Sequence, residues 1–587
     1  MESSMAEAES GLSPTTFEIG LVMAGAVSAG AYTAGVIDFL TEALDSWYRA
    51  KQRGVPDTPP HDVKISVVTG ASAGGVTAAV LASELRGGLL HMNSQTGSAR
   101  NKLYETWVER VDIGPLLDAR DLERPGAKVP SLLDSTVLDD AARNALATAW
   151  SGAPWPEYMA DPLDVILCVT NLRGVPYSIR FSAEQDRDYG MSQHADYMHF
   201  SLSPTNKASK WNDSVPLGRE EQEEGNWRLL KEAALASSAF PAALAARSLT
   251  RSAGNYNRRR WSIPQEPKCD RSQRCVCEVE KEIPPMWPDE LKETDIDRWE
   301  YRFANIDGGL ANNEPFEIAR RCLAGSANRS PRGAEDAKRA ILMIDPFPNQ
   351  SVLDLRYDPE SSLRLLGTLP ALISAVLSEL RFKKDELELA RDPSVFSRFL
   401  IAPTRTEIRD GKEQRARYPL ATGGLGGFAG FLSEAYRQHD YRLGRRNCQQ
   451  FLRRTFGLAY DNPLFRDWPP TLKEKLRFKN EAGMDLLPII PLTDSLGVEE
   501  PLPEWPVNRR PDMTVLERLL RRRTDAVVKR LIDTELERLS MNWIVSRVGW
   551  EVVKLNERLL NLIRSPHKGP IGTILKIVRD DLSERGL

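Results

Sequence analysis

Apolar residues cluster in short runs along the first part of the chain. The runs at 17–23 and 65–69 are strongly apolar, and the second is rich in β-branched residues, a composition typical of buried parallel strands. Each run leads through small residues into a segment with the composition of a helix. Strands that alternate with helices predict an α/β fold built on a mostly parallel sheet.

Later runs extend this predicted sheet. Further strands are expected at 163–169, 177–181, 301–306 and 340–344, the last of which is expected to close the sheet. Two polar and irregular stretches near 184–227 and 251–299 are interpreted as insertions. The first of them is either a cap over a site or an ordinary surface excursion. The predicted α/β domain spans residues 17–350.

The spacing of apolar residues becomes helical beyond residue 350. It predicts a helical extension over 351–500, a Pro-rich linker at 501–511 and a further helical segment over 512–587. Arg and Lys residues lie between the apolar positions of the last segment. This segment is interpreted as a helical hairpin packed on the α/β domain, with a membrane-surface helix as the alternative. Residues 1–16 are polar and acidic and are expected to form a disordered leader.

A Gly-x-Ser-x-Gly sequence lies where the strand at 65–69 gives way to a helix. Gly70 and Gly74 permit a turn that is too tight for a Cβ, so the hydroxyl of Ser72 projects from a strained corner. Backbone N–H groups at the start of the following helix point where an oxyanion would form. This order of elements predicts a nucleophile elbow. The alternative is a Gly-rich turn with a buried, inert serine.

A hydrolytic serine needs a base, and Asp307 is the strongest candidate. It ends the expected strand at 301–306 and is followed by Gly308 and Gly309. Its carboxylate would lie at the carboxyl edge of a parallel strand, where open α/β sheets place their active sites. The alternative interpretation is a common Asp-Gly turn. None of the six histidines lies in a recognisable catalytic motif, although a Ser–His–Asp triad that uses a distant histidine such as His439 stays open.

The first strand is followed by a loop of small residues that includes Gly25, Ala26 and Val27. A loop of this kind between a strand and a helix exposes backbone N–H groups as an anion-binding nest. If the loop faced Ser72, it would form an oxyanion hole. A tight strand-to-helix crossover and a nucleotide-phosphate loop are the alternatives. The glycine spacing does not match Gly-x-Gly-x-x-Gly and no Gly-Lys-Ser/Thr follows, so nucleotide binding is disfavoured.

These three motifs occur in an order that resembles the patatin-like phospholipases, a family of lipid acyl hydrolases. Further segments that resemble family sequences lie at 131–135, 236–241 and 307–315, and the resemblance covers about residues 17–350. It implies a three-layer α/β/α hydrolase with a mostly parallel sheet. It also implies a lipid or phospholipid ester as the substrate, and neither a cofactor nor a metal.

The resemblance further implies a Ser–Asp dyad that works through an acyl-enzyme. Ser72 would be the nucleophile and Asp307 the base. Burial would raise the pKa of this carboxyl from about 3.9 and make it a more competent base near neutral pH. The implied oxyanion donors are the backbone N–H groups of Gly25, Ala26 and Val27, together with that of Ala73.

The loop after the first strand departs from the family pattern. Many members carry a run of glycines followed by Arg or Lys, whereas this chain has Ala26 within the run and Ala29 at the basic position. Backbone N–H groups survive this change, but a side-chain cation that would steady the loop is absent. A patatin fold that binds lipid or protein with little or no catalysis is therefore the alternative function.

Composition narrows the class of protein further. The chain has 587 residues, of which 41% are hydrophobic and 27% charged, and its formal net charge is −4. The composition is typical of a globular protein. A net charge of −4 produces no positive electrostatic field that would attract nucleic acid. The sequence also contains no nucleic-acid-binding motif. It begins with an acidic, polar segment rather than the basic start of a signal peptide.

The six cysteines form no disulfide-like pattern. Cys269, Cys275 and Cys277 cluster in a charged segment, but no histidine lies nearby as a fourth ligand, so free thiols are favoured over a zinc site. Without a signal peptide or a disulfide framework, a cytoplasmic setting is expected. Peripheral contact with a membrane surface is a further expectation.

Overall fold

A nine-stranded sheet lies at the centre of the α/β domain in the computed structural model of this chain. The described residues are 13–92, 101–124, 128–180, 188–220, 224–259, 261–263, 268–269, 275–276, 281–291, 295–324, 331–347, 394–480, 482–540 and 570–587, with single residues at 359, 368, 372, 375 and 392.

The sheet is mostly parallel, as the sequence predicts. In chain order its strands are β1 (Thr16–Met23), β2 (Asp62–Ala71), β3 (Met159–Arg180), β4 (Asp188–Leu202), β5 (Val215–Leu217), β6 (Arg247–Ser252), β7 (Glu300–Asp307), β8 (Arg339–Ile344) and β9 (Arg398–Ile401). β9, β8, β1, β2 and β3 lie side by side and run parallel. β7 and β6 continue the sheet in antiparallel pairing, and β4 and β5 lie beyond the other edge of β3.

Helices cover both faces of this sheet and produce three layers. The longer described helices are α1 (Gly30–Gln52), α2 (Ala73–Gly87), α3 (Thr136–Leu146), α4 (Glu224–Ser237), α5 (Phe316–Ala324), α6 (Glu434–Arg454), α7 (Met513–Ser540) and α8 (Pro570–Glu584). Successive side chains of a strand point to opposite faces, so the neighbours Leu21 and Val22 belong to different apolar cores. Leu21 packs in the core that includes α1 and α2, whereas Val22 packs with α5. The predicted three-layer α/β/α class is thereby confirmed.

Shorter elements connect these layers. The helical turns are Val27–Ala29, Lys102–Tyr104, Glu105–Glu109, Ile113–Leu116, Arg120–Leu122, Ala253–Arg258, Gly309–Asn312, Leu425–Gly427, Ala429–Leu432, Pro463–Phe465, Pro470–Leu476 and Asp494–Gly497. The short strands are Trp261–Ile263, Lys268–Cys269, Cys275–Val276, Lys281–Ile283, Thr406–Arg409, Lys412–Arg415, Gly457–Ala459, Phe478–Lys479 and Asp485–Pro488.

One edge of β3 is shared by two strands that arrive from opposite directions. β2 runs parallel to β3 and ends with Ala71 opposite Cys168. β7 runs antiparallel to β3 and ends with Asp307 opposite the next residue, Val169. Because β4 occupies the other edge of β3, the carboxyl ends of β2 and β7 meet head to head. Two segments that are far apart in the sequence are thus brought together.

Two predictions about the strands near this edge are wrong. β7 was expected to be parallel, but it is antiparallel to both of its neighbours. The stretch near 184–227 was expected to be irregular, but 188–202 forms β4, which pairs with β3. The first part of β4 is polar and largely exposed, with Tyr189 60% and Met191 38% exposed, so it has the composition of a surface segment. Its partner strand, rather than its own pattern, makes it a strand.

The sheet also extends past the expected closing strand. β9 pairs with β8 and comes from the region predicted to be a helical extension, 351–500, which contains α6 and further short strands as well. The expectation of a purely helical region is therefore wrong for its described part. Residues 1–12 of the leader, Cys277, and most of 348–391 and 541–569 lie outside the described residues, and the boundaries of the units stay a prediction.

The described part of the basic C-terminal segment packs against the α/β domain. Arg523 of α7 is 2% exposed, donates to the carbonyl oxygens of Ser131 and Leu132, and pairs with Asp121. These contacts support the packed helix over the membrane-surface alternative. Within the described ranges, no helix has the length and apolar character needed to cross a membrane.

Candidate active site

Ser72 lies at the turn between β2 and α2 in a left-handed backbone conformation. Its φ is 51° and its ψ is −124°, values that few residues other than glycine adopt and that mark local strain. The flanking glycines make the turn sterically feasible. A Cβ on Gly70 would clash with the backbone of Gly74, and a Cβ on Gly74 would clash with the carbonyl oxygen of Met23. The turn therefore has the backbone geometry of a nucleophile elbow.

The hydroxyl of Ser72 donates a hydrogen bond to Oδ2 of Asp307 over 2.6 Å. The other carboxylate oxygen, Oδ1, accepts a hydrogen bond from the N–H of Gly309 over 2.8 Å. Both side chains are buried, with Ser72 7% and Asp307 5% exposed. The contact follows from the sheet, because β2 ends directly before Ser72 and β7 ends at Asp307 on the same edge of β3.

Burial changes the acidity of this carboxyl group. It raises the pKa of Asp307 to about 6, although the hydrogen bonds from Ser72 and Gly309 act in the opposite direction. An ordinary aspartate has a pKa of about 3.9. A carboxylate with a pKa near 6 is still ionised at neutral pH and accepts a proton more readily than an exposed one.

Ser237, at the end of α4, is a site residue that was not among the predicted catalytic and oxyanion residues. Its Oγ accepts a hydrogen bond from the backbone N–H of Ser72 over 3.0 Å, and its carbonyl oxygen accepts from Gly308 over 2.9 Å. Close by, the carbonyl oxygen of Ala239 accepts from the N–H of Asp307 over 2.8 Å. The end of α4 therefore fixes the elbow and the end of β7 relative to each other. Its signal in the sequence is the family-like segment at 236–241.

Asn313 is a second residue of this kind, and its signal in the sequence is the family-like segment at 307–315. Its side-chain oxygen occupies the space between Gly25 and Gly309, so a Cβ on either glycine would collide with it. Gly308 is similarly constrained, because a Cβ there would clash with the carbonyl oxygen of Cys168. Gly308 is thus needed for the close approach to the backbone of β3, and Gly309 leaves room for the side chain of Asn313, so the Asp-Gly-Gly sequence is more than a simple turn.

The loop after β1 lies beside the elbow, as the oxyanion-hole interpretation requires. A Cβ on Gly25 would come within 3.1 Å of the Cβ of Ser72. The N–H of Gly25 itself donates to the carbonyl oxygen of Asn313 over 3.3 Å, so this donor is already engaged. Ala73 is the first residue of α2, where a backbone N–H has no acceptor within the helix.

The other two residues of this loop begin a helical turn. The carbonyl oxygen of Ala26 accepts a hydrogen bond from Ala29 over 2.8 Å. Val27 has a φ of 49°, a genuine outlier for a β-branched side chain, and it lines the same cavity as Ser72. The structure therefore places Gly25, Ala26 and Val27 next to the serine, with strain at the last of them.

An apolar cavity opens beside the Ser72–Asp307 pair. It has about 890 Å³ of empty space, part of it open to solvent. α2, α3 and α4 contribute small side chains to its wall, among them Ala79, Ala141 and Ala234. Asp307 is the single charged residue among the described residues that line it. Such a surface suits a hydrocarbon chain and offers no cation to a phosphate.

His439 does not contribute to this cavity. Its Nδ1 contacts Asp440 over 2.6 Å, and its ring packs edge-on against Trp505. No histidine occurs among the described residues that line the cavity. These contacts disfavour the triad alternative that uses His439.

The described residues include two of the three clustered cysteines. Cys269 and Cys275 lie opposite each other on two short paired strands, and Cys277 lies outside the described residues. In the part of the chain that the structure describes, no group of three or more His, Cys, Asp or Glu side chains could hold a metal ion.

A three-layer α/β/α domain with a serine at the turn from a strand to a helix is typical of α/β hydrolases. The family model of the patatin-like phospholipases matches residues 21–320, and the chain belongs to this family. It is also similar to an uncharacterized protein, y4iI, from Sinorhizobium fredii (strain NBRC 101917 / NGR234). The two are 34% identical over 561 residues, which cover 89% of this chain and 77% of that relative. Membership in the family confirms the resemblance predicted from the sequence. At the level of the family, it supports lipid acyl hydrolase activity.

Proposed function

We propose that this protein hydrolyses carboxylic esters of lipids or phospholipids by means of a Ser–Asp dyad. The observation that carries the proposal is the 2.6 Å hydrogen bond between Ser72 and Asp307 at the wall of an apolar cavity. It supplies a nucleophile, a base within reach and a surface for an acyl chain.

The proposed reaction has two stages. The Oγ of Ser72 forms a bond to the acyl carbon while its proton passes to Asp307, and the tetrahedral intermediate then expels the alcohol, which takes that proton. Water next attacks the acyl-enzyme with Asp307 again as the base, and Ser72 recovers its proton as the fatty acid leaves. The N–H groups of Ala73, Ala26 and Val27 are the proposed donors to the oxyanion, since the N–H of Gly25 already donates to the carbonyl oxygen of Asn313.

The cavity suggests how a substrate would lie. The acyl chain would extend from Ser72 along α2, past Val76 and Val80, over apolar side chains. The described lining offers no cation to a headgroup, so the polar part of the lipid would remain outside the cavity. Recognition would therefore depend on the acyl chain more than on the charge of the headgroup.

The raised pKa of Asp307 predicts a specific pH dependence. Because the ionised carboxylate is the base, kcat/KM should rise with pH, pass through half of its maximum near pH 6 and reach a plateau above about pH 7. Initial rates on a neutral ester, whose own charge does not change, give this profile. A rate that is flat across the range from about pH 5 to pH 8 would contradict the role of Asp307 as the base.

A lipid-binding scaffold with little catalysis is the second candidate function. Two observations favour it. The N–H of Gly25 donates to the carbonyl oxygen of Asn313 and is therefore not available for an oxyanion. Position 29, where many family members have Arg or Lys, is alanine in this chain.

Release of fatty acid from a panel of esters separates the two functions. The panel contains phosphatidylcholine vesicles, a monoacylglycerol and p-nitrophenyl esters, and free fatty acid is measured by mass spectrometry. We expect release above the buffer rate from at least one class. Binding of a dansyl-labelled fatty acid without hydrolysis of any ester would establish the scaffold instead.

A further inference from the structure

A segment outside the family-matched region completes the cavity beside the dyad. The family model ends at residue 320, yet Phe428 and Phe431 line the same cavity as Ser72 and Asp307. Both phenylalanines belong to the stretch at 424–432, called the 424–432 segment below. The α/β domain alone would therefore leave one side of the cavity unformed.

The 424–432 segment has an unusual backbone. Leu425, Gly426 and Gly427 follow one another with φ values of 53°, 64° and 95°. The left-handed region is costly for Leu and accessible to Gly. The carbonyl oxygen of Gly424 accepts hydrogen bonds from the N–H groups of Gly427 and Ala429 and closes this turn, and the turn Ala429–Leu432 then follows. Phe428 and Phe431, which lie in and after the turn, both line the cavity.

Hydrogen bonds attach the 424–432 segment to the loop after β1. Ser28, which follows Val27 and is fully buried, donates through Oγ to the carbonyl oxygen of Gly427 and accepts from the N–H of Gly430 over 3.1 Å. A Cβ on Gly430 would collide with this hydroxyl. The segment can therefore lie this close to the loop only with glycine at that position.

A buried arginine of α6 holds the segment from the other side. Arg437 is 1% exposed and donates to the carbonyl oxygen of Gly430 over 2.6 Å and to that of Val108 over 2.8 Å. Charge-assisted bonds of a buried guanidinium are strong and costly to break. The 424–432 segment is therefore a fixed wall of the cavity.

The aromatic rings of this wall pack next to the dyad. The ring of Phe428 packs edge-on against Phe240 and Phe431, with centroids 5.5 and 5.7 Å apart. Phe240 directly follows Ala239, whose carbonyl oxygen binds the N–H of Asp307. The volume available next to Ser72 thus depends on Phe428 and Phe431.

We propose that Phe428 and Phe431 determine which acyl chains the site accepts. This inference rests on the proposed ester hydrolysis. Smaller side chains at these positions would enlarge the cavity and favour longer or bulkier chains, and larger ones would favour shorter chains. A change of this size in an apolar pocket alters selectivity by about tenfold.

The test measures kcat/KM for p-nitrophenyl butyrate, octanoate, laurate and palmitate. Phe428→Ala and Phe431→Ala should raise the ratio of palmitate to octanoate by about tenfold, and Phe428→Trp should lower it. Phe399→Ala is the matched control, because Phe399 is a half-buried phenylalanine of β9 in edge-on contact with Phe451 and Phe456 and does not line the cavity. It should leave the ratio unchanged.

A second readout keeps this inference separate from the proposed function. Each phenylalanine substitution is combined with Ser72→Ala, and the affinity for dansyl-labelled undecanoic acid is measured by fluorescence. Phe428→Ala and Phe428→Trp should change this affinity, whereas Phe399→Ala should not. Hydrolysis with unchanged selectivity and unchanged affinity in all variants would overturn the inference and leave the proposed function intact. If the affinity changes in these variants but the wild-type chain hydrolyses no ester, the proposed function is overturned. The inference that Phe428 and Phe431 determine which acyl chains bind would still stand.

Discussion

Replacement of Ser72 by Ala is expected to lower the rate of ester hydrolysis by about 10⁴-fold or more. The substitution removes the atom that would form the acyl-enzyme and leaves the cavity and the backbone donors in place. KM should therefore change much less than kcat. Steady-state kinetics on the p-nitrophenyl ester that the wild-type protein cleaves fastest provide the measurement.

Ser238→Ala is the matched control for this experiment. Ser238 lines the same cavity, and its hydroxyl donates to the carbonyl oxygen of Leu235. Its loss should leave most of the rate intact. Retention of activity in Ser72→Ala would show that Ser72 is not the nucleophile. An equal loss in Ser238→Ala would show that the loss of rate is not specific to Ser72.

Replacement of Asp307 by Asn is expected to lower kcat by about 10²- to 10⁴-fold. The amide has nearly the shape of the carboxyl group and can still contact Ser72, but it cannot take up a proton at neutral pH. The residual rate should also lose its inflection near pH 6. A variant that keeps both the wild-type rate and the inflection would exclude Asp307 as the base.

The same substitution is expected to stabilise the fold at neutral pH. The pKa of Asp307 is raised from 3.8 to about 6 by burial, so its ionisation costs about 3 kcal/mol of stability above pH 6. This cost decreases as the pH falls through the folded pKa, and it is absent below the unfolded value. The Tm of Asp307→Asn should therefore exceed that of the wild type at pH 8, with a smaller difference near pH 4. If the Tm of Asp307→Asn at pH 8 were lower than that of the wild type, the lost rate would be explained by damage to the fold.

The turn around Ser72 is the part of the site that the sequence predicts best, because its glycines reflect a local steric requirement of the backbone. Gly70 and Gly74 flank Ser72 in a turn that leaves no room for a Cβ at either glycine, and the Gly-x-Ser-x-Gly pattern states this requirement directly. The prediction placed Asp307 correctly at the end of a strand, but it gave that strand the wrong direction, parallel instead of antiparallel. Direction is set by pairing with β3, a contact that the pattern of residues 301–306 does not contain.

Residues that act through long-range contacts could not be predicted in this way. Ser237 contributes by accepting the N–H of Ser72, and Phe428 by filling space beside it. Neither role requires a particular spacing along the chain. β9 was missed for a related reason, since a four-residue strand is too short to show a period.

In the proposed mechanism, Ser72 carries the acyl group during turnover. Rapid quenching with an ester that deacylates slowly, followed by digestion and mass spectrometry, tests this claim most directly. We predict a mass increase equal to the acyl group on the peptide that contains Ser72, and its absence in Ser72→Ala. An acyl group on another residue, or hydrolysis without any covalent intermediate, would contradict the mechanism.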